Sequence, residues 1–520
     1  MLYLAFIWHM HQPYYKDILT QEIELPWVRL HGTKDYLDMV KILEGFPKIK
    51  QTFNLVPSLI EQIDDYTQHS VKDKFLKLSE KNAAQLSQDE KAFILENFFM
   101  ADVQRIVAIH PRYYELYLKK NNGNELNTQD FLDLQVWFNL GWIDPSFRKS
   151  IPEISKVVEK GRFFSEEDKA IVLTKQIEIL KEIIPTYNKF YKTGQIEITI
   201  SPYFHPILPL IYNTKTAKEA NLKTKLPENN FSYPNDVAWQ INQAVIFFKK
   251  YFEKPPQGMW PSEEAVSRHI IPFLVDSGIN WIVSDETLLF KSLRKKRNSN
   301  LLYKPYKINY KDKSLNIIFR DANLSNLIGF VYHRLPTNNA VDDLLGHLNL
   351  IAKSSVKDDC LVTIALDGEN AWEYYPNDGI DFLSLLYERL SNTSNIQTIT
   401  VSEFLKTHPA KDYLTRLSAG SWIEGNFNKW IGTPQKNIAW QYLAKARERL
   451  ETILSEKKQI NLELAFKQIY AAEGSDWFWW LGENHGAFDN LFRKHLTNFY
   501  KIINEPSPDY LLKPISIDTK

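Results

Sequence analysis

Residues 2–13 read LYLAFIWHMHQP, a run of seven apolar residues that ends abruptly in polar side chains. Apolar runs of the same kind recur along the chain. Most of them are continuous rather than alternating, which favours strands that are buried on both faces of a parallel sheet. We place them at about residues 50–56, 196–203, 257–260, 280–284, 315–320 and 361–367, with a weaker one at 397–401.

Helical patterns lie between these runs, for example at residues 35–44, 237–252 and 381–390. About seven repeats of a strand followed by a helix predict an α/β fold in which parallel strands form a barrel. Residues 58–190 interrupt that rhythm with Lys- and Glu-rich helical segments. They predict a helical insertion at the place where barrels carry their functional loops.

The strand signal fades after about residue 405, and amphipathic helical patterns follow at residues 435–470 and 486–504. We therefore expect a barrel domain at residues 1–405, including the helical insertion, and a C-terminal helical subdomain at residues 406–520. No low-complexity linker separates the two parts. The helical subdomain is accordingly expected to pack on the barrel.

The composition limits the classes of function. Lys plus Arg and Asp plus Glu both count 63, so positive charge cannot attract nucleic acid or a membrane surface. The single cysteine, Cys360, excludes an internal disulfide framework and a multi-cysteine zinc site. The first apolar run lacks a preceding basic segment, so we expect no signal peptide and a cytoplasmic location.

Aromatic residues make up 13% of the chain, with 14 Trp, 26 Tyr and 30 Phe. A large core filled with aromatic side chains is one explanation. Flat rings that stack on sugars in a binding cleft are another. Composition alone is compatible with both, and the positions of the rings must decide.

Polar side chains follow several of the predicted strands. Because active sites of parallel barrels lie at the carboxyl ends of the strands, these residues are candidates for chemistry. Glu263 and Glu264 follow one strand, and Asp367 follows another. Two acidic groups, one to attack and one to donate a proton, are what glycoside hydrolysis requires. The remaining candidates at strand ends are His9, His11, His205, Trp260, Arg320, Asp321, Glu369 and Trp372.

The two histidines of the first strand permit a different chemistry. At a spacing of two residues, His9 and His11 project to the same side of a strand, as zinc ligands in metallohydrolase barrels do. A zinc site needs a third ligand, and the candidates are His205, Asp321 and His31.

The acidic residues also have simpler interpretations. Glu263 and Glu264 could form a solvated pair at a helix start, where carboxylates suit the helix dipole. Asp367 with Gly368 could form an ordinary turn. The apolar residues before each of them favour buried carboxylates instead.

Five segments, in order along the chain, resemble the signatures of glycoside hydrolase family 57. Each alone is a modest signal, and together they cover essentially the whole sequence. They are residues 9–13 (HMHQP), 194–198 (GQIEI), 258–263 (GMWPSE), 365–373 (ALDGENAWE) and 472–480 (AEGSDWFWW). The resemblance implies an incomplete (β/α)7 barrel followed by a helical bundle, whose C-terminal subdomain contributes to the active-site cleft.

The resemblance also implies roles for individual residues. It assigns Glu263 as the nucleophile and Asp367 as the general acid/base of a retaining reaction, and it requires neither a metal nor another cofactor. An acid/base must stay protonated near neutral pH, so we expect burial and nearby negative charge to raise the pKa of Asp367. The implied substrate-binding residues are His9, His11, His205, Trp260, Arg320, Trp372, Asp476 and Trp477, the last two from the helical region.

One residue departs from the family pattern. The position after the nucleophile is usually small or uncharged, whereas here it is Glu264. A second carboxylate beside Glu263 could raise the pKa of the nucleophile or could point away into solvent.

Within the family, residues 9–13 and 366–370 are most similar to the α-amylase and amylopullulanase group. We therefore expect hydrolysis of α-1,4 bonds in starch, glycogen or maltodextrin, with α-1,6 bonds as further candidates, and no nucleic-acid or membrane partner. A 4-α-glucanotransferase or branching enzyme of the same family is one alternative. A metal-dependent, deacetylase-like hydrolase that uses His9 and His11 is another, and a non-catalytic glucan-binding protein is a third.

Overall fold

The computed structural model describes residues 1–354, 359–483 and 486–515. Seven parallel strands form its centre, and we number them as barrel strands one to seven. Six of the predicted apolar runs lie in these strands together with the opening run, so the predicted α/β barrel is confirmed. The strands are Leu2–Met10, Gln51–Leu55, Ile196–Thr199, Gly258–Met259, Trp281–Asp285, Lys313–Arg320 and Cys360–Asp367.

The strands are arranged as two sheets that meet at two seams. Strands seven, one, two and three form one sheet in that order, and strands four, five and six form part of a second. At one seam Ile200, just after strand three, forms a parallel bridge with Met259. At the other, the Asp321 N–H donates to the Thr363 carbonyl at 2.8 Å. Because the two sheets are joined at these seams by sparse contacts, the barrel is incomplete, as the resemblance to the family implies.

Shorter strands flank the barrel. Tyr306–Tyr310 pairs antiparallel with strand six, a hairpin that the sequence analysis does not predict. The weak run at 397–401 is the strand Ile396–Thr398, which pairs with the start of strand one. The remaining two-residue strands are Lys16–Asp17, Glu22–Ile23 and Asp412–Tyr413.

The predicted helical insertion contains a series of helices that ends in one of 28 residues, Glu166–Thr193. This helix begins with a capping box between Ser165 and Asp168 and ends at Gly194, whose φ of 74° is favourable for glycine. The insertion is tied to the barrel by buried Arg29, which pairs with Asp73 at 2.9 Å. The other helices are Pro57–Gln68, Lys74–Glu80, Gln88–Asn97, Pro111–Asn121, Thr128–Gly141, Pro145–Ser150 and Pro152–Lys160.

Further helices connect the remaining barrel strands. The predicted helix at residues 35–44 is instead broken into a π turn, a short α-helix and a 3-10 turn. In this irregular segment Lys34 and Asp35 are both buried and form an ion pair at 2.7 Å, which a regular surface helix would not permit. The principal α-helices are Trp27–His31, Leu208–Tyr212, Pro234–Phe252, Ile271–Asp276, Glu286–Leu293, Ala322–Asn326, Thr337–Ser354, Ile380–Ser391 and Val401–Thr407.

The C-terminal part is helical and packs on the barrel. Its helices are Pro434–Glu456, Leu462–Ala472, Ser475–Trp480 and Gly486–Ile502. Buried Arg447 binds both oxygens of Asp236, at 2.7 and 3.0 Å, and so joins the first of these helices to the helix Pro234–Phe252. In the described ranges, no helix combines the length and apolar composition needed to cross a membrane.

Candidate active site

The strand register brings distant residues to one level at the carboxyl end of the barrel. His9 lies opposite Asp367 of strand seven and opposite Asn54 of strand two. The His9 Nδ1–H donates to the Asn54 Oδ1 at 2.6 Å. His9 and Asp367 therefore lie side by side at the carboxyl end of the barrel, where a parallel barrel places its active-site cleft.

Glu263 faces this cleft from a strained turn. Strand four ends at Met259, and Glu263 follows with a φ of 57°, a left-handed conformation that is unusual for Glu. Its partly buried carboxylate accepts hydrogen bonds from the Trp422 indole N–H at 2.9 Å and from the Ser475 hydroxyl at 3.4 Å. Burial raises the pKa of Glu263 to about 8, with a further contribution from the negative charge of Asp476, whereas the bond from Trp422 opposes that rise.

Glu264 points away from the cleft. Its side chain is 0% exposed, and neither carboxylate oxygen has a hydrogen-bond partner within the described part of the chain. The Arg320 Nε lies 3.5 Å from it and also donates to Asp285 at 2.9 Å. Burial raises the pKa of Glu264 to about 8, and the Arg320 charge limits the rise. Arg320, predicted to bind substrate, is thus buried as a partner of these carboxylates.

Asp367 is the last residue of strand seven, and its side chain is exposed on the cleft. It accepts a hydrogen bond from the Asn370 side-chain amide at 3.0 Å. Its pKa is raised, chiefly because the surrounding protein desolvates it, while Asn370 and His11 oppose the rise.

The next acidic residue, Glu369, is 2% exposed, and burial raises its pKa well above the ordinary value. Strand parity places Asp367 and Glu369 on the same side, but the strand ends between them. Strand seven ends at Asp367 and the chain bends at Gly368 and Glu369, so Glu369 is buried and only Asp367 of the two is exposed.

Three histidines line the cleft beside these acids. His9 stacks on Trp260, and His11 stacks on His205 with 3.9 Å between ring centroids. Burial lowers the pKa of His9 to about 3 and the pKa of His205 well below its ordinary value, so both are neutral at neutral pH.

The C-terminal helix Ser475–Trp480 completes the cleft. The His11 Nε2–H donates to Asp476, whose two oxygens both lie at 3.0 Å. The Ser475 N–H donates to the His205 carbonyl at 3.0 Å, and an antiparallel bridge joins Pro206 to Gly474. The helical part therefore supplies side chains to the same cleft as the barrel.

The predicted stacking tryptophans are enclosed by protein. Trp372 and Trp477 are 0% and 1% exposed, and their indole N–H groups donate to backbone carbonyls. Trp260 is 4% exposed and is covered by His9. Since a sugar can stack only on an accessible ring face, the structure gives these three rings a packing role.

Two rings that the sequence analysis did not select are partly exposed. Trp422 and Trp479 stack with their centroids 6.1 Å apart, and Trp422 is the donor to Glu263. Trp479 lies within the family-like segment 472–480, whereas residues 418–430 carry no strand or helix periodicity. Only the glycines Gly420 and Gly425, both with positive φ, mark that loop as a constrained one.

The metal ligands that the sequence suggested do not come together as a set. Asp321 binds Arg297 and Tyr303, and His31 binds Asp35. Among the described residues, the three ligand side chains that do lie together are His11, His205 and Asp476, a group that does not include His9.

The cleft lies at the carboxyl ends of parallel strands and presents two acidic groups with raised pKa values. Enzymes that cleave or transfer glycosidic bonds use such a pair of acidic groups. A sequence model of "Glycosyl hydrolase family 57" matches residues 5–416. The chain belongs to glycosyl hydrolase family 57, as the five segments indicated.

Solved structures of this family share the fold at low sequence identity. The chain is similar to the α-amylase AmyC of Thermotoga maritima (14% identity, TM-score 0.62, covering 96% of this chain and 93% of that one). It is similar to a branching enzyme of Pyrococcus horikoshii (17%, 0.61, 100% and 97%). It also resembles a 4-α-glucanotransferase of Thermococcus litoralis (14%, 0.55, 96% and 60%). A comparison with curated proteins finds no match.

Proposed function

We propose that this protein is a retaining α-glucan hydrolase that acts on α-1,4 bonds of starch, glycogen or maltodextrin, with α-1,6 bonds as additional substrates. The observation that carries the proposal is the environment of Glu263. Its carboxylate faces the cleft, accepts hydrogen bonds from Trp422 and Ser475, and shares the cleft with Asp367. Family membership supplies the class of bond.

In the first step, the ionised carboxylate of Glu263 attacks the anomeric carbon. The bond from that carbon to the glycosidic oxygen breaks, and the carboxylic acid of Asp367 gives its proton to the departing oxygen. The N–H of Trp422 fixes the orientation of the attacking carboxylate. The product of this step is a glycosyl ester of Glu263.

In the second step, the Asp367 carboxylate takes a proton from water while the water oxygen attacks the same carbon and releases Glu263. Two inversions give net retention, and Asp367 regains its proton. Burial raises the pKa of Asp367 above its ordinary value, which is the direction of shift that a proton donor requires.

A 4-α-glucanotransferase or branching enzyme is the second candidate, because the same intermediate reacts with a sugar hydroxyl when an acceptor glucan replaces water. The partly exposed ring pair of Trp422 and Trp479 beside the nucleophile favours it, since stacked rings can hold a second glucan. The named activities of the similar structures include all three reactions.

The deciding experiment is a product analysis on maltoheptaose in the presence of EDTA. Wild type is expected to give only shorter maltodextrins, and Glu263→Gln should lose activity by about 10³-fold or more. The matched control is Glu253→Gln, a surface Glu that also has a positive φ of 62° and should leave the rate unchanged. Products longer than the substrate would establish the transferase instead, and a wild type without turnover would contradict both.

A further inference from the structure

His11, His205 and Asp476 form a cluster in the cleft, and the glycosidase mechanism does not require these three side chains to be close together. One ligand atom from each of His11, His205 and Asp476 lies within 4.8 Å of the other two. The two imidazole rings stack face to face, and the carboxylate lies 3.0 Å from the His11 Nε2. Three bonds of about 2.0–2.1 Å to a tetrahedral zinc ion place the ligand atoms about 3.3 Å apart. Small side-chain rotations therefore suffice to form such a site.

His205 is already oriented as a ligand. Its Nδ1–H donates to the Ser475 hydroxyl at 3.0 Å, and that hydroxyl donates onward to Glu263 at 3.4 Å. This chain of donors leaves the Nε2 of His205 with an unshared electron pair. The residue is 1% exposed, and its Nε2 has no hydrogen-bond partner among the residues described. A buried, unpartnered imidazole nitrogen held by a hydrogen bond on its other nitrogen is the usual arrangement of a metal-binding histidine.

We propose that His11, His205 and Asp476 bind one divalent transition-metal ion, for which Zn²⁺ is the best match, and that the bound ion inhibits the enzyme. Two imidazoles and one carboxylate are a frequent zinc ligand set, and they leave a fourth position for water. His11 binds through Nε2 once its proton has moved to Nδ1, a buried atom without a partner in the described structure. The Asp476 carboxylate then binds the ion instead of accepting a hydrogen bond from the His11 N–H.

The inhibitory effect follows from the position of the site, and it rests on the proposed function. Ser475, which donates to Glu263, is adjacent in the chain to the ligand Asp476, and the charge of Asp476 acts on Glu263. An ion bound to Asp476 therefore lies near the attacking carboxylate. A metal ion held there occupies the space of the sugar ring at the point of cleavage. It also attracts the Glu263 carboxylate, which then no longer attacks the substrate.

Metal binding can be tested without any substrate. Calorimetric titration of the metal-free protein with Zn²⁺ is expected to show one site, and titration with Co²⁺ should produce visible absorption of a four- or five-coordinate ion. His205→Ala and Asp476→Asn should each weaken Zn²⁺ binding by at least about 100-fold, since each removes a direct ligand. Circular dichroism must show that both variants are folded.

The matched control is His269→Ala. The His269 Nε2 also lies 2.8 Å from a carboxylate, that of Glu219, but this pair is at the surface and outside the metal-ligand group found among the described residues. It should leave Zn²⁺ binding unchanged. Absence of Zn²⁺ binding to wild type, or an equal loss in the control variant, would overturn the proposal.

If the ligand variants do not fold, X-ray absorption of the wild-type zinc complex decides instead. The expected spectrum contains two imidazole ligands with nitrogen atoms at about 2.0–2.1 Å. A spectrum with fewer than two imidazoles would refute the site.

The inhibition is measured separately, as a loss of maltoheptaose cleavage on addition of Zn²⁺ that EDTA reverses. Cleavage that is unaffected by saturating Zn²⁺ would refute the inhibitory role. A wild type that binds zinc but never cleaves maltoheptaose would refute the proposed function and leave the metal site established.

Discussion

The side chains of Glu263 and Glu264 take opposite directions because both residues have left-handed backbone angles, with φ values of 57° and 51°. Such angles cost on the order of 1 kcal/mol for each non-glycine residue. The turn is held by the Glu264 N–H, which donates to the Pro261 carbonyl at 2.7 Å. This backbone directs Glu263 to Trp422 and Ser475 and Glu264 to Arg320, which is the separation that the proposed nucleophilic role of Glu263 requires.

The hydrogen bond from Trp422 to Glu263 makes a prediction about pH. Burial raises the pKa of Glu263 to about 8, and the Trp422 N–H holds it lower than burial alone would. Trp422→Phe should therefore raise this pKa and leave fewer molecules with an ionised nucleophile at neutral pH. A hydrogen bond to a charged group contributes about 1.5 kcal/mol, which corresponds to roughly a tenfold lower kcat/KM at pH 7.

The deficit should shrink as the pH rises and disappear only above about pH 10, where Glu263 is ionised in both proteins. The measurement is the ratio of kcat/KM for wild type and variant across the pH range. Trp430→Phe is the control, since the indole N–H of this neighbouring buried Trp has no partner in the described residues. A ratio for Trp422→Phe that is the same at every pH would show that the hydrogen bond does not set the pKa of Glu263.

At this scale the sequence predicts residues that follow strands, and it fails for those on loops. His9, Glu263 and Asp367 could be placed at the cleft because each follows a buried apolar run. Trp422 could not, because it lies 159 positions from Glu263 in a segment without periodicity. The packing of Trp372 and Trp477 could not be foreseen either, since composition does not distinguish a buried ring from a stacking surface.

Among the elements, the loop that carries Trp422 depends on one glycine. Gly420 has a φ of 153° and exchanges two backbone hydrogen bonds with Val266, at 2.9 and 3.1 Å. A Cβ at this position would lie 2.3 Å from the Gly425 carbonyl oxygen, which belongs to the backbone and cannot move aside easily. The loop therefore accepts only glycine here, and its shape sets the position of the Trp422 indole.

Gly420→Ala is expected to displace this loop, to lower the melting temperature and to reduce kcat/KM at least about tenfold through loss of the bond from Trp422 to Glu263. Gly346→Ala is the control, because Gly346 lies exposed inside the helix Thr337–Ser354 with open space around its Cα. That substitution should stabilise the protein by about 0.5–1 kcal/mol and leave activity unchanged. Thermal melting and kinetics on both variants test the pair, and a fully active Gly420→Ala enzyme would contradict the argument.

Most of the barrel strands were predictable because they are continuous apolar runs, as is typical of strands buried on both faces of a parallel sheet. The hairpin strand Tyr306–Tyr310 was not, because polar Lys307 and Asn309 interrupt its apolar residues and its pairing is antiparallel. The broken helix at 35–44 was missed for another reason. Its irregular turns bury Lys34, which pairs with Asp378 as well as with Asp35, and a periodic pattern does not reveal an ion pair between distant segments.

Across the whole molecule, the barrel and the C-terminal helices share their buried polar contacts. The His495 Nε2–H donates to the Tyr14 carbonyl at 3.1 Å, and the Asn498 amide donates to Asp17 at 2.9 Å. Lys467 pairs with Glu61 at 2.5 Å. Because of these shared contacts, we expect the two parts to unfold together. The cleft depends on both parts as well, since Glu263 belongs to the barrel and its donor Ser475 belongs to the helical part.

Arg447 contributes a buried ion pair to that coupling. It is buried, binds both oxygens of Asp236 and lies near buried Glu473, whose raised pKa reflects its own burial and then the charge of Asp236. Arg447→Met leaves Asp236 as an uncompensated buried charge, which typically costs about 3–5 kcal/mol. The loss should appear as one transition at lower denaturant concentration, with activity and tryptophan fluorescence lost together.

Glu451→Gln is the matched control, since Glu451 touches the same guanidinium at 3.5 Å but from the solvent side. Its removal should cost no more than about 0.5 kcal/mol, as for other exposed ion pairs. Urea unfolding followed by both probes distinguishes the cases. If Arg447→Met unfolds in two steps, with activity lost before most of the fluorescence change, the helical part separates from a barrel that remains folded. The molecule would then consist of two units, and the cleft between them would depend on their association rather than on a single folding event.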